Sequence, residues 1–321
     1  MTDTNLSLSD SLFKRIMAWS DERFPLAHAI AFFSLYLTAA AVARYSASEA
    51  PVNFNLLDIL ACLLALSYFL VLRVFDEHKD YELDCMNHPQ RVLQSGMITL
   101  KHLKGLALVS IIAQLLFSLW LDQGVAHVSM AWGIAFVWTC LMGVEFFCGE
   151  WLEKRLTLYA FSHMLVTPMI MWWLAQLAAP SVNLTTPILF MLCFAFVGGF
   201  TAEIVRKTRG PEEERETVDS YSKIFGTQGS AWVVAVLLLM TGLIQGALCY
   251  QMYSGNFVIG FLVLAVAYAL AVVSLLKFIK APTLKGREKN EAFCGLAMLV
   301  GYFTVIAAAL IERGVSFSLL A

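Results

Sequence analysis

Nine apolar runs, each long enough to cross the roughly 30 Å hydrocarbon core of a bilayer as a helix, constrain this chain more than any other feature. They lie at Phe24–Val42, Phe54–Phe75, Leu103–Leu121, Val128–Cys148, Leu156–Ala178, Pro187–Ile204, Ser230–Tyr250, Val258–Ile279 and Ala292–Ile311. Of the 321 residues, 59% are hydrophobic and 14% charged, which excludes a soluble globular enzyme. Inside a bilayer each backbone polar group must find its partner within its own segment, so the runs are helices. The expected fold is all-α: a polytopic transmembrane bundle of about nine spans, one membrane domain over residues 1–321.

Lys and Arg set the orientation. With nine spans and the N-terminus inside, one side of the membrane receives 20 of the 22 Lys and Arg, leaving only Arg44 and Arg313 on the other. A miscount by one span would swap every later loop and destroy this segregation. The expectation is an integral protein of a plasma (bacterial inner) membrane, with a cytoplasmic N-terminal segment (residues 1–23), cytoplasmic cap loops at 76–102 and 203–229, and the C-terminus on the opposite side. Within the first segment, Leu12–Trp19 has the pattern of an amphipathic stretch on the membrane surface. The seven cysteines form no CxxC pair and mostly sit in apolar runs; they suit small core residues better than disulfides or zinc ligands.

Directly after the second run comes Asp76-Glu77-His78-Lys79-Asp80-Tyr81-Glu82-Leu83-Asp84. Glu77, Asp80 and Asp84 are spaced i, i+3, i+7, on one helical face, with Asp76 beside it. Stacked carboxylates repel unless a cation lies between them, and Mg²⁺ accepts one or two carboxylates together with water and phosphate oxygens. This spacing suggests a Mg²⁺–diphosphate site at the membrane surface. The plainer alternative is a solvated helix end whose acids pair with Arg73, His78 and Lys79. Further along, Pro89 ends the helix, Gly96 turns the chain, and Arg91 is returned toward the acids, where a phosphate needs a cationic clamp.

Two other polar segments stand out. Glu203 precedes Arg206 and Lys207 by three and four residues, close enough to pair with either, and Glu212–Glu214 follow. Lys154 and Arg155 could reach a phosphate or simply lie at the surface. Glu145 is deeper in its run than any other carboxylate, a position that points to the bundle interior. His163 and Pro168 suggest a satisfied core histidine and a kink.

These residues resemble the UbiA-type intramembrane prenyltransferase superfamily. That family carries Asn-Asp, two residues, Asp, three residues, Asp at the end of its second span. Asp76-Glu77-x-x-Asp80-x-x-x-Asp84 matches it with Asp for Asn and Glu for the first Asp. The family continues with Arg-Pro-Leu, a small residue, Gly and Ile. Arg91-Val92-Leu93-Gln94-Ser95-Gly96-Met97-Ile98 matches, except for Val92 in place of Pro and one inserted residue. Lys154-Arg155-Leu156-Thr157 is similar to a Lys-Arg-x-Thr element near the fifth span. The family's second motif usually offers further aspartates for a second Mg²⁺; here Glu203 is followed by Arg206 and Lys207 instead.

The resemblance implies a helical bundle around a capped cavity that ionises an isoprenyl diphosphate with Mg²⁺, transfers the prenyl group to an unidentified acceptor and releases pyrophosphate. Asp76, Glu77, Asp80, Asp84 and Glu203 would be catalytic, with Glu77, Asp80, Asp84 and Glu203 as metal ligands. Arg91, Lys154, Arg155, Arg206 and Lys207 would bind the diphosphate. Membrane lipids are the other expected partners, and nucleic acid is not one. A terpene cyclase acting on an isoprenyl diphosphate and a non-catalytic membrane protein binding a lipid or anion are the alternatives.

Overall fold

In the computed structural model, residues 6–215 and 219–319 are described; residues 216–218, part of the second expected cap loop, lie outside the described residues. The helices are α1 (Leu12–Arg23), α2 (Ala29–Ala47), α3 (Leu56–Lys79), α4 (Tyr81–Asn87), α5 (Leu100–Asp122), α6 (His127–Gly143), α7 (Gly149–Glu153), α8 (Leu156–Met164), α9 (Val166–Ala178), α10 (Thr186–Arg206), α11 (Tyr221–Met252), α12 (Val258–Lys280) and α13 (Leu284–Arg313). Among the described residues, eight helical segments, with α8 and α9 as one, are long and apolar enough to cross a membrane. The shorter apolar helix α6 lies where the fourth run was expected. The chain is thus a membrane helical bundle.

α2 is the axis. Ala39, Ala40, Ala41, Val42 and Ala43 are all fully buried, so this part of the helix is covered all round, as its unbroken apolar run requires, while Ile30 near its start is exposed. It packs against α3, α9, α10 and α13. The small alanine side chains let those neighbours approach closely. Outer helices show the reverse: Leu108, Val109 and Ile112 on α5 and Ile259 and Leu262 on α12 face outward, where lipid tails meet them. Between α3, α5, α6 and α9, buried polar groups pair across helices. Gln114 donates to Ser67 Oγ (2.9 Å) and accepts from Trp132 Nε1 (3.1 Å), and Trp173 Nε1 donates to Ser118 Oγ (3.1 Å).

The helices alternate in direction, so the bundle has two ends. One, the far end, gathers the α2–α3 connection and the end of α13. Strand β1 (Val52–Phe54) pairs in parallel with β2 (Val315–Phe317). There Asn55 starts α3 with a capping box: its side chain accepts from Leu57 N–H (2.8 Å), and Asp58 accepts from Asn55 N–H (2.8 Å). The other end gathers α1, α4, the starts of α5, α8, α11 and α13 and the ends of α3, α10 and α12. It carries the acidic stretch and, of the described Lys and Arg, all but Arg44 and Arg313.

Three local features refine this picture. The Leu12–Trp19 stretch packs on the bundle by one face: Trp19 is fully buried with Phe24, Val71, Val74, Leu93 and Ile98, so α1 docks on the end of α3, while Leu12 and Phe13 stay exposed. α6 stops at Gly143, and Glu145, Phe146 and Phe147 form a left-handed turn at φ of 48, 54 and 57°. Glu145 is therefore not inside a helix. Finally, the fifth span breaks between α8 and α9, at the kink expected from Pro168. Pro168 cannot donate to the Met164 carbonyl, and Thr167 Oγ1 does so instead (2.8 Å).

Candidate functional site

The acidic stretch sits where α3 ends. Asp80 leaves the helical region at φ −88° and ψ 4°. Yet Asp80 N–H still donates to Asp76 O (2.9 Å) and Asp84 N–H to Asp80 O (2.8 Å), which carries the helical path into α4. The four acids keep their expected order along the chain, but their side chains part into two groups.

Glu77 and Asp84 are taken up by arginines. Glu77 has no side-chain exposure, and its Oε1 receives Arg23 Nε (2.6 Å) and Arg73 Nη2 (2.5 Å). Asp84 Oδ2 receives Arg91 Nη1 (2.7 Å) and Arg23 Nη2 (3.3 Å). Arg91 does return to the acids, as its place after the Pro89 turn suggests. Arg23, from α1, links Glu77 to Asp84. On the same helix Glu22 accepts from Val92 N–H (2.9 Å), and Arg15 donates to Met97 O (2.8 Å), so α1 clamps the whole 91–97 turn.

Asp76 and Asp80 have other surroundings. Asp76 keeps 61% of its side chain exposed and meets Arg73 only at 4.0 Å. Asp80 is exposed and makes no ion pair within 4 Å among the described residues. Partial desolvation, together with Asp84 and Glu77, holds the Asp80 carboxyl above its ordinary range against the opposing Lys79 and Arg23. Across from them, at the end of α10, Glu203 binds both Arg206 (2.5 Å) and Lys207 (2.8 Å). Asp76 lies within electrostatic reach of Asp80, Arg206 and Glu203, so the first acidic stretch and the altered second one meet at one mouth.

Tyr159 of α8 joins the two sides. Lys79 Nζ lies 4.6 Å from its ring centroid and bonds its hydroxyl, while Lys207 Nζ lies 5.9 Å from the same ring. Lys79 also pairs with Glu145 (2.6 Å). The left-handed turn aims Glu145 here, and Gly149 makes room for it: a Cβ on Gly149 would collide with the Glu145 carboxylate. His163 stacks on Tyr159 and shares a hydrogen bond with its carbonyl through Nδ1 (2.8 Å). A carbonyl only accepts, so Nδ1 carries the proton, and Nε2 is left without a partner.

Not every expected residue gathers here. Arg155 stacks on Trp151 (4.2 Å) and donates to its carbonyl, and Lys154 is exposed at the surface. Glu213 holds Arg287 (2.7 Å), Glu212 accepts from Leu284 N–H (3.1 Å) and Glu214 from Ser220 (2.8 Å); these three serve the start of α13 and the loop before α11. Sequence reasoning passed over Arg23 and Tyr159, whereas Arg73 does pair with the acids, as the plainer alternative expected. The available signal for Arg23 was its place just before Phe24-Pro25, where the first span begins at the depth at which the second ends.

Among the described residues no three His, Cys, Asp or Glu side chains are grouped to hold a metal ion. Mg²⁺ needs only one or two protein carboxylates when water and phosphate complete its shell. Asp76 and Asp80, hard oxygen donors one turn apart without tight partners, are of the right chemistry.

A search of curated proteins returned no significant match. Among solved structures, one described as digeranylgeranylglyceryl phosphate synthase in membranes is similar, with 16% identity, a TM-score of 0.64, and coverage of 93% of this chain and 99% of that one. The likeness establishes the shared bundle. Residues 32–300 match the profile of the UbiA prenyltransferase family. With the acidic stretch and the Arg91 turn falling inside that match, the chain belongs to the UbiA prenyltransferase family.

Proposed function

We propose that the protein transfers an isoprenyl group from an isoprenyl diphosphate to an acceptor within the membrane and releases pyrophosphate. The observation that carries this is that Asp76, one turn from Asp80, lies within electrostatic reach of Glu203 and Arg206 at the charged end. Carboxylates without a tight partner beside lysine and arginine suit a ligand that is both anionic and cation-bound. Asp76, Asp80 and Glu203 would hold Mg²⁺, which supplies charge neutralisation for the departing diphosphate.

The chain's own groups do the rest. Arg206, 62% exposed, is free to turn from Glu203 to a phosphate oxygen. Lys207 and Lys79, held against Tyr159, keep positive charge near the bridging oxygen as its bond to carbon breaks. Arg91, fixed by Asp84, presents its remaining N–H groups. The prenyl chain lies among apolar side chains of the spans, where water is excluded from the allylic cation. The charged end faces the cytoplasm, following the Lys and Arg distribution.

Purified protein supplied with allylic diphosphates of several lengths and lipid extract should release pyrophosphate only with Mg²⁺. No release with any length, or release unchanged in Asp80→Ala, would refute the proposal. Cysteines added in the 206–223 loop should label only from the cytoplasmic side.

A further inference from the structure

The outward side of the α12–α13 pair carries a groove of about 410 Å³ with an apolar lining. Ala267 and Phe293, packed against the core, form its floor, and the exposed Leu262, Val266, Leu270 and Leu296 form its rims. Toward the charged end the same helix faces turn basic. Lys277 follows Leu270 by seven residues, and Lys289 precedes Phe293 by four and Leu296 by seven, so each continues the groove on its own helix. Ser274 donates to Asn290 across the pair (2.7 Å), which ties the two helices together where the lysines begin. Lys280 and Lys285 lie one turn further out. All four lysines are exposed, and among the described residues none of them makes an ion pair. Of the two acids in residues 277–291, Glu291 is held by Arg287 and Glu288 is exposed.

We infer that this groove is a site for an anionic phospholipid, with the phosphate on Lys277 and Lys289 and an acyl chain along Leu270, Leu296 and Val266. Unpaired ammonium groups set above an apolar channel between spans are the arrangement that holds an anionic headgroup and its chain together. The depth agrees. Val266 lies eleven residues before Lys277, about 16 Å along the helix, and one leaflet is half of the roughly 30 Å hydrocarbon core. At the opposite end of the bundle Arg313 is bound to Glu49 and Arg44 to Asp58, so the headgroup belongs at the lysine end. A second copy of the chain is a poorer occupant, because copies inserted in the same direction would set the lysines of one against those of the other. The site shares no residue with the proposed prenyl transfer and stands without it.

The test uses the full chain in a neutral detergent, supplied with phosphatidylglycerol or with phosphatidylcholine of matched chains. Native mass spectrometry counts the bound lipid, and the thermal midpoint is read in parallel. The wild type should keep one phosphatidylglycerol where phosphatidylcholine is lost, and its midpoint should rise with the anionic lipid alone. Lys277→Gln/Lys289→Gln should need at least about tenfold more phosphatidylglycerol for the same occupancy, the scale on which two basic residues hold an anionic lipid. Lys101 and Lys104 stand exposed on α5 above Leu108 and Ile112, outside the groove. Lys101→Gln/Lys104→Gln removes as much charge and should change the requirement by less than about twofold. Val266→Trp, at an exposed position of the rim, should weaken retention by at least about fivefold with all four lysines in place, because the chain loses its channel.

Equal losses from the two lysine pairs would reduce the effect to a diffuse surface attraction and overturn the inference, as would equal retention of the two lipids. Inorganic phosphate that raises the midpoint as far as phosphatidylglycerol does would leave an anion contact without a chain, and so would retention unchanged in Val266→Trp; either result overturns the site. A dimer that Val266→Trp dissolves would give this face to a second copy instead. Should Val266→Trp fail to fold, Leu296→Trp closes the same groove from α13 and gives the same reading.

Discussion

At the far end of the bundle each nitrogen of the Arg44 guanidinium has a taker: Asp58 accepts from Nη1 (3.0 Å) and Nη2 (2.7 Å), and Ala178 O from Nε (3.0 Å). Tyr36 donates to the same Asp58, which also caps α3. At the charged end, Arg23, Arg73 and Arg91 are placed on Glu77 and Asp84 with similar economy, but Asp76 and Asp80 are left over. The two ends use the same residue types. What separates a clasp from a candidate site is the remainder after pairing. Cavity size misleads here, because a space of about 320 Å³ opens beside Tyr36, Arg44 and Asp58, where no charge is left for a ligand to meet.

Removing a partner from the clasp is the strongest way to break this contrast. Asp58→Ala leaves Arg44 largely buried and uncompensated, which costs about 3–5 kcal/mol in comparable buried pairs. The lost capping box adds about 1 kcal/mol. Thermal unfolding in detergent should show a large fall in midpoint, while pyrophosphate release per folded molecule stays near wild type. A selective loss of turnover with an unchanged midpoint would erase the distinction between the ends.

The converse variant is Asp80→Ala. It breaks no ion pair, so the midpoint should hold. Turnover should fall by about 10²–10³-fold, the scale of one preorganised electrostatic partner. A smaller effect is expected from Arg206→Ala/Lys207→Ala. Each charge-assisted contact to diphosphate is worth about 1.5–3 kcal/mol, but both side chains must first give up Glu203, which offsets part of the gain. Titration with a non-hydrolysable isoprenyl diphosphate analogue measures the difference, and an unchanged dissociation constant would return the pair to the surface.

The contrast between the ends also marks how far the sequence could be read. Apolar length and the one-sided placement of Lys and Arg were enough for the bundle, because a bilayer leaves the backbone so few options. Spacing located the acids, and the turn residues Pro89 and Gly96 returned Arg91 to them. It could not say which acid would be neutralised. Arg23 lies 54 residues from Glu77, and nothing local distinguishes it from an ordinary basic residue before a span. Glu145 was misplaced for a different reason: its left-handed turn runs through Glu and two Phe, and carries none of the Gly or Asn that announces such a conformation. The Pro168 break, by contrast, was legible because the missing N–H is written in the residue itself.

The smallest expected effect is in the response to pH, and it separates Asp80 from the acids held by arginine. Desolvation raises the Asp80 carboxyl, with Asp84 and Glu77 adding to it and Lys79 and Arg23 opposing. A carboxyl whose folded value lies above its unfolded one binds protons more readily in the fold. Its contribution to stability is therefore complete below the unfolded value, near 3.9, and is lost as pH rises through the raised value. Without divalent cation, the thermal midpoint should decline slightly over that interval. Mg²⁺ with pyrophosphate favours the ionised carboxylate and should flatten or reverse the decline. In Asp76→Asn/Asp80→Asn neither open carboxyl remains to titrate, so this component should vanish from both curves. A decline that survives undiminished in the double variant would assign the titration to other acids at this end and not to the pair left open to a cation.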